Sequence, residues 1–345
     1  MPTPLPPPAW CSAAVAAHAE APAWGPAGAL AWVANDHAQK TLQAWLRSAD
    51  GAARPLVAAR SPQPGALGFT VARGGSSFDV AFDPTGRSGP AFVASDGPGL
   101  DLDVRVQGFA APVAAARGAD LSPTVSPDGA WLWWSSARSG GGDLYRLAWT
   151  TPGATPQAMT RTDARSEWDP SLRADGAAVF TSRGEAGADI GWLPTPGAAP
   201  ALLVDRPGDQ TRPRWAPDGH HIAFYSDEAA SPRVDLIVRT PDGRLRTLLS
   251  GVRPDTHGPA WAPDGRSLFV VAADPTQLDP VVRVFLDGQP PVALALGSRN
   301  HGDLAVAAAG EGRIRLAVAT QSPPRAPAAD WKRLCVWELP ATRPP

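Results

Sequence analysis

Cysteine and lysine are scarce in this chain of 345 residues, neither sign of charge dominates, and no apolar run is long. Each shortage excludes something. The two cysteines, Cys11 and Cys335, lie near opposite ends, which rules out a disulfide framework and any all-thiolate zinc site. A formal net charge of -2 without any basic run excludes a nucleic-acid partner, because neutralising phosphates takes clustered Lys and Arg. The longest apolar segments, such as 109–116, are broken by proline and fall far short of the roughly 20 residues that a spanning helix needs, so no membrane insertion is expected. The first basic side chain other than histidine is Lys40. No secretory leader is visible, and the literal expectation is a cytoplasmic protein.

Glycine (34) and proline (40) are plentiful. They would interrupt helices repeatedly, whereas turns between short strands need them. A Pro-Asp-Gly turn recurs through the chain at 127–129, 217–219 and 263–265, with Ala174-Asp175-Gly176 as a variant. The spacings between Asp128, Asp175, Asp218 and Asp264 are 47, 43 and 46 residues. Further copies fall at Asp83-Pro84-Thr85-Gly86, at Glu311-Gly312 and, degenerate, at 22–28, making seven. A strand precedes each turn and a β-rich strand follows, as at 131–136, 179–182 and 222–226. A third strand then often opens on Asp (Asp143, Asp189, Asp235), and a fourth closes the unit. Two places strain the count: an extra strand could lie at Phe69–Ala72, and an alternative turn at Gly74-Gly75.

Repeats of about 45 residues with four strands each read as a β-propeller. The stretch Pro259-Ala260-Trp261-Ala262-Pro263-Asp264-Gly265, followed by an apolar strand, resembles the WD40-like repeat of TolB-type propellers, and the resemblance covers roughly Ala21 to Leu339. The fold expected is all-β: a seven-bladed propeller of four-stranded antiparallel blades filling 10–340, with a Pro-rich tail at 1–9 and a short tail at 341–345. Six or eight blades are the alternatives. The segment Ser12–Ala17 is expected to complete the last blade, which removes an exposed edge. In that register Cys335 faces about Val15, which leaves Cys11 roughly 13 Å away at ~3.3 Å per residue, so a bridge needs a register change. The resemblance implies a binding module or the gating domain of a serine peptidase, and the chain as given leaves no residues for an α/β catalytic domain. TolB itself is periplasmic, the alternative to a cytoplasmic location.

Loops leading into the first strands share one face, and the unusual polar residues gather there: His18, Asp120, Glu167, Arg212, His257, His301 and Asp303. These are the candidate binding residues at the mouth of the central channel. Imidazoles and carboxylates converging from separate blades can ligate a divalent metal, with His257 and His301 the candidate ligands, or move protons. Short polar side chains at such junctions more often cap backbone groups, so no cofactor is expected. The repeated Asp residues suit turns rather than chemistry, Arg138 and Arg183 should brace their own hairpins through Asp143 and Asp189, and Trp24, Trp215 and Trp261 should fill the space between blades. No Gly-x-Ser-x-Gly, His-Glu-x-x-His or phosphate-loop motif occurs. The function expected is non-enzymatic: a monomeric module that binds a protein or peptide on its upper face. The competing expectation is a metal-assisted lyase or hydrolase at the channel mouth.

Overall fold

Strands of two to nine residues carry the architecture, and among the described residues of the computed structural model only two 3-10 turns interrupt them. The described residues are 5–12, 18–36, 41–56, 77–95, 102–109, 111–151, 153–228, 233–254, 257–273, 279–298, 301–321 and 332–342. Pairing is antiparallel, strand to next strand, in the order read from the repeats. His18–Trp24, Leu30–Asp36, Thr41–Arg47 and Ala53–Pro55 form the first sheet. Ser77–Ala81, Ala91–Ser95 and Leu102–Val106 form the second. The third runs from Asp120–Val125 through Leu132–Ser136 and Asp143–Leu147 to Gln157–Ala158. The fourth runs from Ser166–Leu172 through Ala178–Gly184 and Gly187–Leu193 to Ala201–Val204.

The next two repeats share one eight-stranded sheet. Its first half is Asp209–Trp215, Ile222–Asp227, Val234–Arg239 and Leu245–Arg253, and its second half begins at Ala260–Trp261 and Ser267–Ala272. The halves join where Val252 and Arg253 pair with Ala272 and Val271. The final sheet is Leu304–Gly310, Arg313–Thr320 and Arg333–Pro340, completed by Trp10–Cys11 from the other end of the chain. The strand and turn proposed at 69–75 lie outside the described residues.

Both faces of these sheets are apolar, and the core is divided into clusters, each between one repeat and the next. Trp133 and Trp134 show the rule: alternation sends Trp133 onto Phe180 of the following sheet and Trp134 onto Val93 of the preceding one, and both are fully buried. A further cluster joins Leu30 and Trp32 of the first sheet to Ala317, Leu334 and Val336 of the last. Two of the recurring Trp residues also reach back to the preceding inner strand. Trp24 Nε1 donates to the Ala305 carbonyl and Trp261 Nε1 to that of Arg214, each at 3.1 Å.

The repeated Asp residues do what the turn requires. Gly129, Gly176, Gly219 and Gly265 take φ of 71, 87, 69 and 68°, and Asp128, Asp175, Asp218 and Asp264 accept the backbone N–H two residues on. The arginines differ from expectation. Arg138 pairs with Asp120 at 3.1 Å rather than with Asp143, and Arg183 with Asp209 at 2.9 Å rather than with Asp189. Asp189 is taken by Arg165, and Asp143 by the Ser139 and Thr160 hydroxyls and the Thr162 N–H.

The closing register also departs from expectation. Trp10 faces Val336 and Cys11 faces Cys335, and the two cysteines are bonded. The Ala-rich segment expected there, most of which lies outside the described residues, offers little side chain to bury. Trp10 instead packs edge-on against Trp32 with centroids 5.7 Å apart, and the Arg47 guanidinium sits 5.0 Å from its ring. The bridge spans 324 residues of sequence and ties the two ends of the chain together. Cys335→Ser should lower the free energy of unfolding by about 2–4 kcal/mol, read from urea denaturation of non-reduced protein. An unchanged midpoint refutes this role.

Candidate functional site

Proline sits at the same place in the first strands of four repeats, Pro22, Pro123, Pro170 and Pro213, and Pro259 immediately precedes Ala260–Trp261 in a fifth. Proline cannot donate to the ladder, and these strands bulge just before it. The residues at the bulge have positive φ: Ala21 (48°), Ser122 (52°), Asp169 (54°), Arg212 (56°) and Gly258 (82°), with Asp79 (58°) taking the position in the second sheet. The ladder registers shift at these points.

The bulges touch one another across the sheets. Ser122 N–H donates to Asp79 Oδ2 (2.9 Å), the Ser122 hydroxyl lies 3.4 Å from Asp169 Oδ1, and Arg212 Nη1 donates to Asp169 Oδ2 (3.2 Å). Ala21 N–H donates to Asp303 Oδ2 (2.8 Å). A cavity of about 430 Å³ opens beside this belt. Asp79, Ser122, Asp169, Arg214 and His257 line it with apolar Phe82 and Leu172, and it extends to Pro84 and Pro127 at the Asp-Gly turns. The cavity thus extends toward the turn end of the inner strands.

Burial pushes the Asp79 carboxyl above its usual range, with Asp169 adding to the shift, while His257, Arg212 and the Ser122 N–H oppose it. His257 Nε2 is buried and has no hydrogen-bond partner among the described residues. Arg214 spends Nη1 on the carbonyls of Pro213 and Asp169.

Of the residues expected at the channel mouth, His257 lines this cavity, Arg212 braces one of its walls, and Asp303 holds the neighbouring bulge. The backbone of His18 starts the first inner strand. His301 is buried, with Nδ1 bonded to the Asp279 carbonyl (2.7 Å) and Nε2 to the Ser298 hydroxyl (3.1 Å). Asp120 and Glu167 do not line the cavity. Asp120 is fully buried and receives Trp134 Nε1 and Arg138, and burial raises its carboxyl. Among the described residues no three His, Cys, Asp or Glu side chains are grouped to hold a metal ion. Asp79, Ser122 and Arg214 were missed from sequence, although proline at constant spacing in the inner strands marks the belt.

A larger cavity, about 720 Å³, adjoins Arg246, Asp264 and Arg283. Its buried cation is already committed: Arg283 lies between Phe269 and Phe285 and donates to Ser267 Oγ and the carbonyls of Pro340 and Ala341. That cavity therefore brackets the end of the last strand, whereas the channel keeps polar atoms unused.

No protein-family model matches the chain. Solved structures resemble it over most of its length. TolB from Acinetobacter baumannii superposes with a TM-score of 0.54 at 13% identity, covering 91% of this chain and 64% of that one. The fold is that of a TolB-like β-propeller. An oligogalacturonate lyase in complex with manganese gives a TM-score of 0.59 at 13% identity, covering 91% and 86%. A puromycin-hydrolyzing peptidase from Mycobacterium tuberculosis gives 0.55 at 15%, covering 94% and 63%. In sequence, the propeller is 36% identical over 63 residues to an uncharacterized peptidase, YuxL, of Bacillus subtilis, and 36% identical over 153 residues to the putative tricorn protease homolog 2 of Streptomyces coelicolor. Those matches span 9% and 12% of the two relatives.

Glu167 gives a test of the buried charges beside the channel. Its carboxyl meets the hydroxyls of Thr160 (3.2 Å), Thr162 (2.6 Å) and Ser182 (3.3 Å). Thr160 also faces Asp143, and Thr162 the Arg165 carbonyl. A hydroxyl has one proton, and Thr160 and Thr162 each have a second acceptor within reach, so a proton on Glu167 eases the shortage of donors. Burial raises this carboxyl, as does the nearby Asp143. The folded state therefore binds a proton more tightly than the unfolded chain, and stability falls as pH rises from the ordinary carboxylate range through the raised value. Glu167→Gln, whose amide can donate to Thr160, should flatten that decline in urea midpoints followed upward from the ordinary carboxylate range. Asp120, shifted in the same direction, keeps some slope. A variant as steep as the parent refutes the assignment.

Proposed function

We propose that this propeller is a binding module, built as seven blades in a closed ring, that takes a segment of a peptide or protein partner into its channel. The carrying observation is the belt of inner-strand bulges, where Asp79, Ser122 and His257 line one cavity and the buried His257 Nε2 has no protein partner. Support for seven blades comes from the seven repeats and from the clusters that join each sheet to the next and the last to the first. Asp79, Ser122 and Asp169 stand on strands, which suits recognition by a preformed site. The bridge between Cys11 and Cys335 favours an oxidising compartment, hence a periplasmic-type location over the cytoplasm.

An enzyme is the second reading, supported by the peptidase and lyase neighbours and by His257 beside Asp79. One pair of experiments separates the two. Peptides selected on immobilised propeller should bind the purified protein and lose at least tenfold affinity in His257→Trp, which fills the cavity, with an unchanged urea midpoint. Turnover of peptide or oligogalacturonate substrates by untagged protein, abolished in His257→Ala, together with no peptide binding, overturns the binding reading.

A further inference from the structure

The charged groups around the channel are unequally engaged. Asp169 is paired with Arg212, and Arg214 is spent on carbonyls. Asp79 accepts the Ser122 N–H through Oδ2, and its Oδ1 has no hydrogen-bond partner among the described residues. A cation bonded to the free oxygen offsets the burial that raises the Asp79 carboxyl, so the ionised form is stabilised by binding one.

The neighbours of Asp79 restrict what that cation can be. Beside Asp79 the cavity is lined by Ser122, whose hydroxyl oxygen has a lone pair to offer, and His257, whose Nε2 is buried and unused. With Asp79 Oδ1 these offer three acceptor atoms from three different repeats, Nε2 accepting in the imidazole tautomer that carries its proton on Nδ1. A primary ammonium has three N–H donors on one nitrogen, whereas a guanidinium is a flat fork and a quaternary ammonium has no donor. Phe82, Val125 and Leu172 supply apolar wall for a short chain behind the nitrogen, and about 430 Å³ accommodates the end of a peptide.

We infer that the channel recognises a primary ammonium group with an apolar stem, the chemistry shared by a peptide amino terminus and a lysine side chain, through Asp79, Ser122 and His257. The inference rests on the binding reading but is tested without a natural ligand. The probe is n-butylammonium chloride, with sodium butyrate and n-butanol as matched controls, titrated while the imidazole resonances of wild-type protein are followed by NMR.

A saturable shift of the His257 resonance with butylammonium in the millimolar range, absent with both controls, is expected. Asp79→Asn retains an acceptor for the Ser122 N–H and suits a positive φ, and it should weaken the response at least tenfold. Equal shifts with butanol or butyrate, no shift with butylammonium, or an unchanged response in Asp79→Asn overturns the inference. Should that variant not fold, the selectivity of the wild-type protein and of His257→Gln decides: a His257→Gln affinity equal to wild type, followed by ligand NMR, is equally fatal. Selected peptides then distinguish the sources. Loss of binding on N-terminal acetylation assigns the amino terminus, and loss on lysine acetylation assigns the side chain. Peptides that bind regardless of either modification overturn the ammonium inference while leaving the binding reading intact.

Discussion

Every sheet here is apolar on both faces, and that constraint organises the rest. A sheet with two apolar faces needs two neighbours, so each repeat must be flanked on both sides. The clusters around Trp133 and Phe180, Val179 and Phe224, or Leu30 and Leu334 are the outcome. Stacked in this way, the sheets expose their edges rather than their faces. Inner-edge residues of several repeats line one cavity, where His257 Nε2 has no hydrogen-bond partner among the described residues. The outermost edge of the last sheet is covered by Trp10–Cys11, which pairs with the final strand and is fastened to it by the disulfide.

Much of the fold was legible because turn chemistry and strand alternation are local. Asp and Gly at constant spacing located the turns, and the hydrophobic pattern located the strands after them. The site was less legible for a geometric reason. Reading alternation straight through an inner strand places residues two apart on one side, which would align Glu167 with Asp169, Asp120 with Ser122 and Gln210 with Arg212. The bulges break that rule. Asp120, Glu167 and Gln210 are buried, whereas Ser122 and Asp169 line the cavity and Arg212 braces its wall. The partners of Arg138 and Arg183 were misread because they depend on how one strand lies against another, which spacing along the chain does not encode. The closing register escaped for the same reason: the packing of Trp10 against Trp32 and the Cys11–Cys335 bridge fix it.

The belt also explains how the channel wall keeps its shape. A non-glycine residue in the left-handed region costs roughly 1–2 kcal/mol, and five such residues occur here at equivalent positions. Such strain persists only where the surroundings over-determine it. In four of the five the proline that follows has no donor to return to the ladder, and backbone N–H groups freed at the bulges are taken up elsewhere. Ser122 N–H goes to Asp79, Ala21 N–H to Asp303, and Arg212 N–H to Thr181 Oγ1. All three bonds cross to a neighbouring repeat, so the strain and the alignment of neighbouring sheets support one another.

Gly258 marks the unit where this arrangement cannot carry a side chain. A Cβ there would lie 2.7 Å from the Arg212 carbonyl oxygen, in a backbone conformation that already favours glycine. The preceding residue, His257, therefore supplies the polar group in that unit. It stands outside the ring of bulge-to-bulge bonds, which accounts for its buried Nε2 having no partner when Asp169 and Arg212 are paired. A recognition group free of the scaffold's own bonding can exchange protein, water or ligand partners without loosening the wall. Asp79, tied by Oδ2 to the Ser122 N–H and without a hydrogen bond at Oδ1 among the described residues, combines both situations in one side chain.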